Sequence, residues 1–166
     1  MINATVNIGR TVAENLASFG ERIKKADVRI RAIAEEIEKT SVTLRSILDL
    51  IADLDEQGVV LLPSAKIKEL QDQVQSCRET FEGADEQLNA FKGELPPSST
   101  SRGPGREPEQ YELPRERFAA LSGVIEAVEL KLEHGKMNLQ LQLTAFIAVV
   151  HRRYAKYLTS SAGKNS

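Results

Sequence analysis

The chain has no tryptophan, one cysteine and two histidines, and only 5% of its 166 residues are aromatic. A lone cysteine, Cys77, excludes an internal disulfide and fits a reducing compartment. The histidines, His134 and His151, have no cysteine or carboxylate at metal-ligand spacing, and Glu133 beside His134 points to a different side of a helix. No metal or cofactor is therefore expected. The glycines of "RGPGRE" sit among prolines without strand or helix context, so they form no phosphate cradle. No Ser/His/Asp or Cys/His set can be assembled without choosing residues arbitrarily, and an enzyme is not expected. No apolar run approaches the ~18 residues of a conventional membrane span. The N-terminal "MINATVNIGRTVAENLASFG" also lacks the uninterrupted apolar segment of a secretory signal. These absences lead to the expectation of an intracellular, cytoplasmic protein without a small-molecule substrate.

Acidic charge is missing from one region in particular. After Glu133 no Asp or Glu occurs, while Lys136, Arg152, Arg153, Lys156 and Lys164 follow. Residues 1–133 carry a net −7 and the remainder +5, giving −2 overall. Such a chain is no general electrostatic partner for nucleic acid. The basic end does fall on "FIAVVHRRYAKYL" (Phe146–Leu158), where cations and tyrosines follow apolar residues. Cations at a helix C-terminus complement the macrodipole, and the same residues could meet anionic lipid or an acidic partner.

What the chain has in abundance is helical periodicity. Val12, Leu16, Phe19, Ile23, Ala26, Ile30, Ile33, Ile37, Leu44, Ile47, Ile51 and Leu54 recur at alternating spacings of four and three, with Thr40 the one polar member. The spacing predicts one long helix from Thr11 to Asp55, weakest at the hydroxyl-rich "TSVT" of Thr40–Thr43, where a kink or break is expected. Gly58 and Pro63 end it, and Ser64 is placed to cap a second helix with its stripe on Ile67, Leu70, Val74, Cys77, Phe81, Ala84, Leu88 and Phe91. In that stripe Cys77 reads as a small core hydrophobe. Residues 93–114 hold five of the six prolines and read as a flexible Pro/Ser/Gly-rich loop. A third helix follows from about Arg115 to Leu158, with Gly135 marking a bend or a close helix approach, and residues 160–166 read as a disordered tail.

These elements predict an all-α fold in a single domain over residues 1–166, an antiparallel bundle of three long helices. Leu48 and Leu50 on the first helix, and Leu141 and Val149 on the third, widen the apolar arcs beyond a two-position coiled-coil seam, as helices with two neighbours require. The second helix is too short to cover the other two, so part of the apolar stripe is expected to await a partner.

Some of these residues also carry a resemblance. "FGERIKKADVRIRAIAEEIEKTSVTLRSILDLI" (Phe19–Ile51) resembles the first long helix of the fungal N-terminal helical domains grouped with the HeLo-like domains. Cys77 and Phe81 match a cysteine and an aromatic one turn apart in a later helix of that family. Lys136, Leu139, Leu141 and Leu143 match its Lys-x-x-Leu-x-Leu-x-Leu pattern. The resemblance implies an all-helical intracellular module of fungal signalling or regulatory proteins, some of whose relatives act at membranes through an apolar N-terminal segment. Here Asn3, Asn7, Arg10, Glu14 and Asn15 interrupt that segment. The function expected is a non-catalytic signalling adaptor acting by self-association or by docking a protein partner. Its contact residues are expected at the open end of the stripe (Val12, Leu16, Phe19) and in the basic group Arg152, Arg153 and Lys156. The alternative is a peripheral, cell-death-related membrane module using that basic end.

Overall fold

The computed structural model describes residues 2–57, 64–95 and 110–164. Most of them lie in four helices, α1 (Ile2–Gly20), α2 (Asp27–Gln57), α3 (Ser64–Asn89) and α4 (Arg115–Lys164), with a 3-10 turn at Lys92–Glu94. Extended pairing among the described residues is confined to one isolated bridge between Ile23 and Tyr111.

Four helices thus stand where three were expected, because the first long helix breaks. The break is not at Thr40–Thr43. α2 runs straight through that stretch, and its hydroxyls turn back onto the helix: Thr40 Oγ1 donates to the Glu36 carbonyl at 2.8 Å, Ser41 Oγ to Ile37 at 2.9 Å and Thr43 Oγ1 to Lys39 at 3.2 Å. Each hydroxyl shares the i−4 carbonyl with the ladder amide, an arrangement that weakens a helix slightly without ending it. The chain turns at residues 21–26 instead. There the amides of Arg22 and Ile23 bond three residues back, to Phe19 and Gly20, and Lys25 takes a left-handed conformation at φ 74°. Helical bonding resumes when the Ile30 amide reaches the Ala26 carbonyl, with Asp27 in the first turn of α2 where its charge suits the helix N-terminus.

Folding back at this turn covers the stripe. Residue contacts fix the direction of each helix. Gly20 abuts Ile30 and Gly9 abuts Ser41, so α1 and α2 are antiparallel. Arg29 pairs with Glu129 at 3.1 Å and Lys136 with Glu36 at 3.5 Å, so α2 and α4 run parallel. Arg117, at the start of α4, pairs with Glu94 and lies 5.1 Å over the Phe91 ring just past the end of α3, so α3 and α4 are antiparallel. The principal packing pairs are α1 with α2 and α3, and α4 with α3 and α2. The result is an up-down-up-down bundle with α1 diagonal to α4 and α2 diagonal to α3. Its core is aliphatic, with Leu16, Ile23, Ile30, Ile37, Leu44 and Ile47 fully enclosed around the rings of Phe19 and Phe81. Each such side chain contributes about 1.5–3 kcal/mol through burial.

Of the Pro-rich segment, residues 96–109 lie outside the described residues, and its two ends are packed. Leu95 and Leu113 are buried. Tyr111 exchanges backbone bonds with the α1–α2 turn, its amide donating to the Arg22 carbonyl at 2.7 Å and its carbonyl accepting from the Lys24 amide at 3.0 Å. α4 continues through Gly135 to Lys164. A Cβ at Gly135 would meet nothing within 4 Å, so the close helix approach expected there is absent.

Candidate interaction surface

Among the described residues no three His, Cys, Asp or Glu side chains are grouped to hold a metal ion, and no helix is long and apolar enough to cross a membrane. Cys77 is buried in α3, and desolvation pushes its thiol up to about 11, with the neighbouring Gln73 side chain acting in the opposite sense. A thiol held protonated in this way is a packing residue. Two open surface clefts are lined by mixed charge. One lies between α1 and α2 beside Arg10, Glu14, Arg31 and Glu35, and another between α2 and α4 beside Glu36, Lys39, Thr40 and Lys136.

The residues expected to make contacts fall into two groups. Val12, Leu16 and Phe19 are not at an open end: all three are at most 4% exposed, because α1 folds back and is covered by α2 and α3. Arg152 is exposed near the C-terminal end of α4, its Nε donating to the Ala148 carbonyl at 3.4 Å. The side chains of Arg153 and Lys156 lie outside the described residues. The structure does not bring the α1 group and the basic group together into one surface.

Of seven large apolar side chains exposed among the described residues, Val28 and Val42 lie on α2 and Ile67 on α3, and the other four lie on α4. The inner face of this helix carries Leu121, Ile125, Val128, Leu132, Leu139 and Phe146, all buried against α2 and α3. Two residues further along a helix is about 200° around it, so positions offset by two from this stripe look outward. They are Leu130, His134, Met137, Leu141, Thr144 and Ala148, spaced 4-3-4-3-4, and every one is exposed. Leu130 is 64% exposed, Met137 55% and Leu141 67%. Leu141 had been expected to widen the buried arc. It sits instead at the centre of a second arc.

The stripe has charged flanks of opposite sign. On one side stand Glu126 and Glu133, on the other Lys131 and, one turn past Ala148, Arg152. Glu126, Lys131 and Glu133 are exposed and make no ion pair with another described residue. The neighbouring Glu129, by contrast, is taken by Arg29 of α2. An apolar row edged by unpaired charges is the pattern of a helix seam that meets another helix. Sequence reasoning passed over Leu130 and Met137 because it followed one apolar series per helix; counting both series on residues 120–150 would have found them.

In comparisons with known proteins, no protein-family model matches the chain, and neither a curated protein nor a solved structure is significantly similar to it.

Proposed function

We propose that this chain is a non-catalytic protein-interaction module, a helical signalling adaptor whose bundle holds one long helix rigid so that its outer face can join another protein chain. The observation that carries this reading is the exposed Leu130–Met137–Leu141 row on α4, three large apolar side chains on one helix face that no described element covers. Leaving each in water forgoes about 1.5–3 kcal/mol of burial that a partner surface would recover. A kinship with the fungal HeLo-like N-terminal domains belongs to the same proposal. Burial of Cys77, Phe81 and Leu139 supports it, since these are core positions of that pattern, while the outward Leu141 departs from it.

Sedimentation equilibrium from low micromolar to several hundred micromolar protein tests self-association, and a reversible, concentration-dependent mass is expected. A strictly monomeric mass throughout would overturn self-association as the mode of action. The exposed Arg152, at the end of α4 that lacks acidic residues, favours a second reading as a peripheral module on anionic membrane. Flotation with anionic but not neutral vesicles, weakened by salt and abolished by Arg152→Glu with Arg153→Glu, would move the function there.

A further inference from the structure

Resting on the interaction-module reading, we infer that the occupant of the outer face of α4 is a second copy of the same helix, parallel and in register, forming a two-stranded coiled coil between bundles. The exposed row extends from Gly123 through Ala127 to Ala148, 25 residue steps or about 38 Å of helix. That is three and a half heptads, the length at which a seam becomes self-sufficient. Assigning Leu130 and Met137 to one seam position makes His134 and Leu141 the other, and Thr144 and Ala148 continue the alternation. The small residues at both ends let two backbones approach, and the large ones in the middle fill the seam. The polar His134 sits where one buried polar residue fixes register in such pairs.

Charge decides the orientation. In a parallel pair, a residue on the leading flank of one helix meets the residue five positions later on the other. Glu126 then faces Lys131 of the second copy, and the two-fold axis makes that contact twice. In a fully overlapping antiparallel pair each flank would face itself in reverse order, so Glu126 would meet Ile147, Glu133 would meet Gln140 and Lys131 would meet Asn138 or Ala145, with no opposite charges paired. The α4 face is self-complementary in the parallel arrangement alone. Ile147, 39% exposed on the acidic-flank side, extends the apolar area toward the C-terminal end.

The test uses the full chain. Leu141→Glu should leave the far-UV circular dichroism unchanged, because the side chain touches solvent in the single bundle, and weaken the dimer at least about a hundredfold by sedimentation. Glu126→Lys and Lys131→Glu should each weaken it about tenfold, and the double exchange should restore it. Leu130→Cys and Leu141→Cys should each cross-link to itself, as only a parallel in-register pair places both on the axis. Cross-linking at one of the two sites alone means an antiparallel pair and overturns the arrangement. Association that survives Leu141→Glu places the contact elsewhere and overturns this inference while the interaction-module reading stands. A chain that never associates with itself at any concentration overturns this inference and leaves the interaction-module reading to a different protein chain.

Discussion

Gly9 sits where three helices meet, and replacing it with alanine tests the packing of the bundle at its tightest point. A Cβ there would lie well inside van der Waals contact of Ser41 Oγ on α2 and 2.9 Å from Cε2 of Phe81 on α3. Neither neighbour can move freely. Phe81 is among the most enclosed rings of the core, and Ser41 Oγ is held at 2.9 Å by the Ile37 carbonyl. Two effects oppose each other. Alanine is the better helix former by about 1 kcal/mol, whereas forcing one extra methyl into a packed junction costs about 1–3 kcal/mol. Since the new atom meets two elements at once, the steric cost should prevail. Gly9→Ala is expected to destabilise the protein by about 1–2 kcal/mol, which lowers the melting temperature by roughly 3–8 °C in a domain of this size.

A second substitution separates steric from helical effects. Ser41→Ala removes the closest atom, and the Ile37 carbonyl it releases belongs to a helix ladder, so the single change should cost under about 1 kcal/mol. In the Gly9→Ala, Ser41→Ala double variant part of the clash is gone, and a coupling of about 1 kcal/mol in favour of the pair is expected. Urea denaturation followed by far-UV circular dichroism gives all four stabilities. Strict additivity, or a Gly9→Ala protein as stable as the parent, would refute the three-helix contact.

Two further outcomes follow from the same coordinates. Gly135→Ala should stabilise by about 0.5–1 kcal/mol, because α4 is continuous there and the added methyl meets nothing; denaturant midpoints will show it, and a loss of stability would reveal a neighbour that α4 lacks in this structure. Cys77 should resist iodoacetamide in the folded protein, and stability should fall as pH rises from 9.0 through about 11, since the unfolded chain releases the thiol proton first and the folded chain holds it to the higher value; rapid alkylation without unfolding, or flat stability across that window, would refute the burial.

Much of the core was legible in the sequence. From Val12 to Ile47 the spaced residues are buried with one polar exception, and that exception, Thr40, is buried as well with its hydroxyl satisfied one turn back. The turn between α1 and α2 was hidden for a physical reason. Phe19, Ile23, Ala26 and Ile30 keep the three-and-four spacing across it and are all buried, so the reversal changes neighbours without changing phase. Its local signals were faint: Gly20, where a side chain would strike Ile30 at 2.9 Å, and a lysine in a conformation usually taken by glycine. Thr40–Thr43 looked weaker on propensity, but propensity assigns a cost that tertiary packing offsets. Because the break fell at the turn and not at the threonines, Val12, Leu16 and Phe19 became the inside of a four-helix bundle.

The same reasoning explains why α4 could be recognised as a helix but not oriented. Its inner series (Leu121, Ile125, Val128, Leu132, Leu139, Phe146) and its outer series (Leu130, Met137, Leu141) lie on opposite faces, and together they make the helix apolar on both sides. A sequence with one apolar face tells which way a helix looks, because solvation of the other face is the only alternative. With two apolar faces, composition alone cannot choose which is turned inward, and both can be merged into one arc of unusual width. What lies between them records the choice. Glu129 and Lys136 are directed to α2 through Arg29 and Glu36, in keeping with the rotation that leaves Leu141 outward. Exposed ion pairs of this kind are worth under about 1 kcal/mol each. They therefore mark the rotation more than they enforce it. The larger contribution comes from the inner series, whose six side chains find cover against α2 and α3. Rotating α4 by half a turn would bury only the three large residues of the outer row, with His134 among them and glycine, alanine and threonine at the ends.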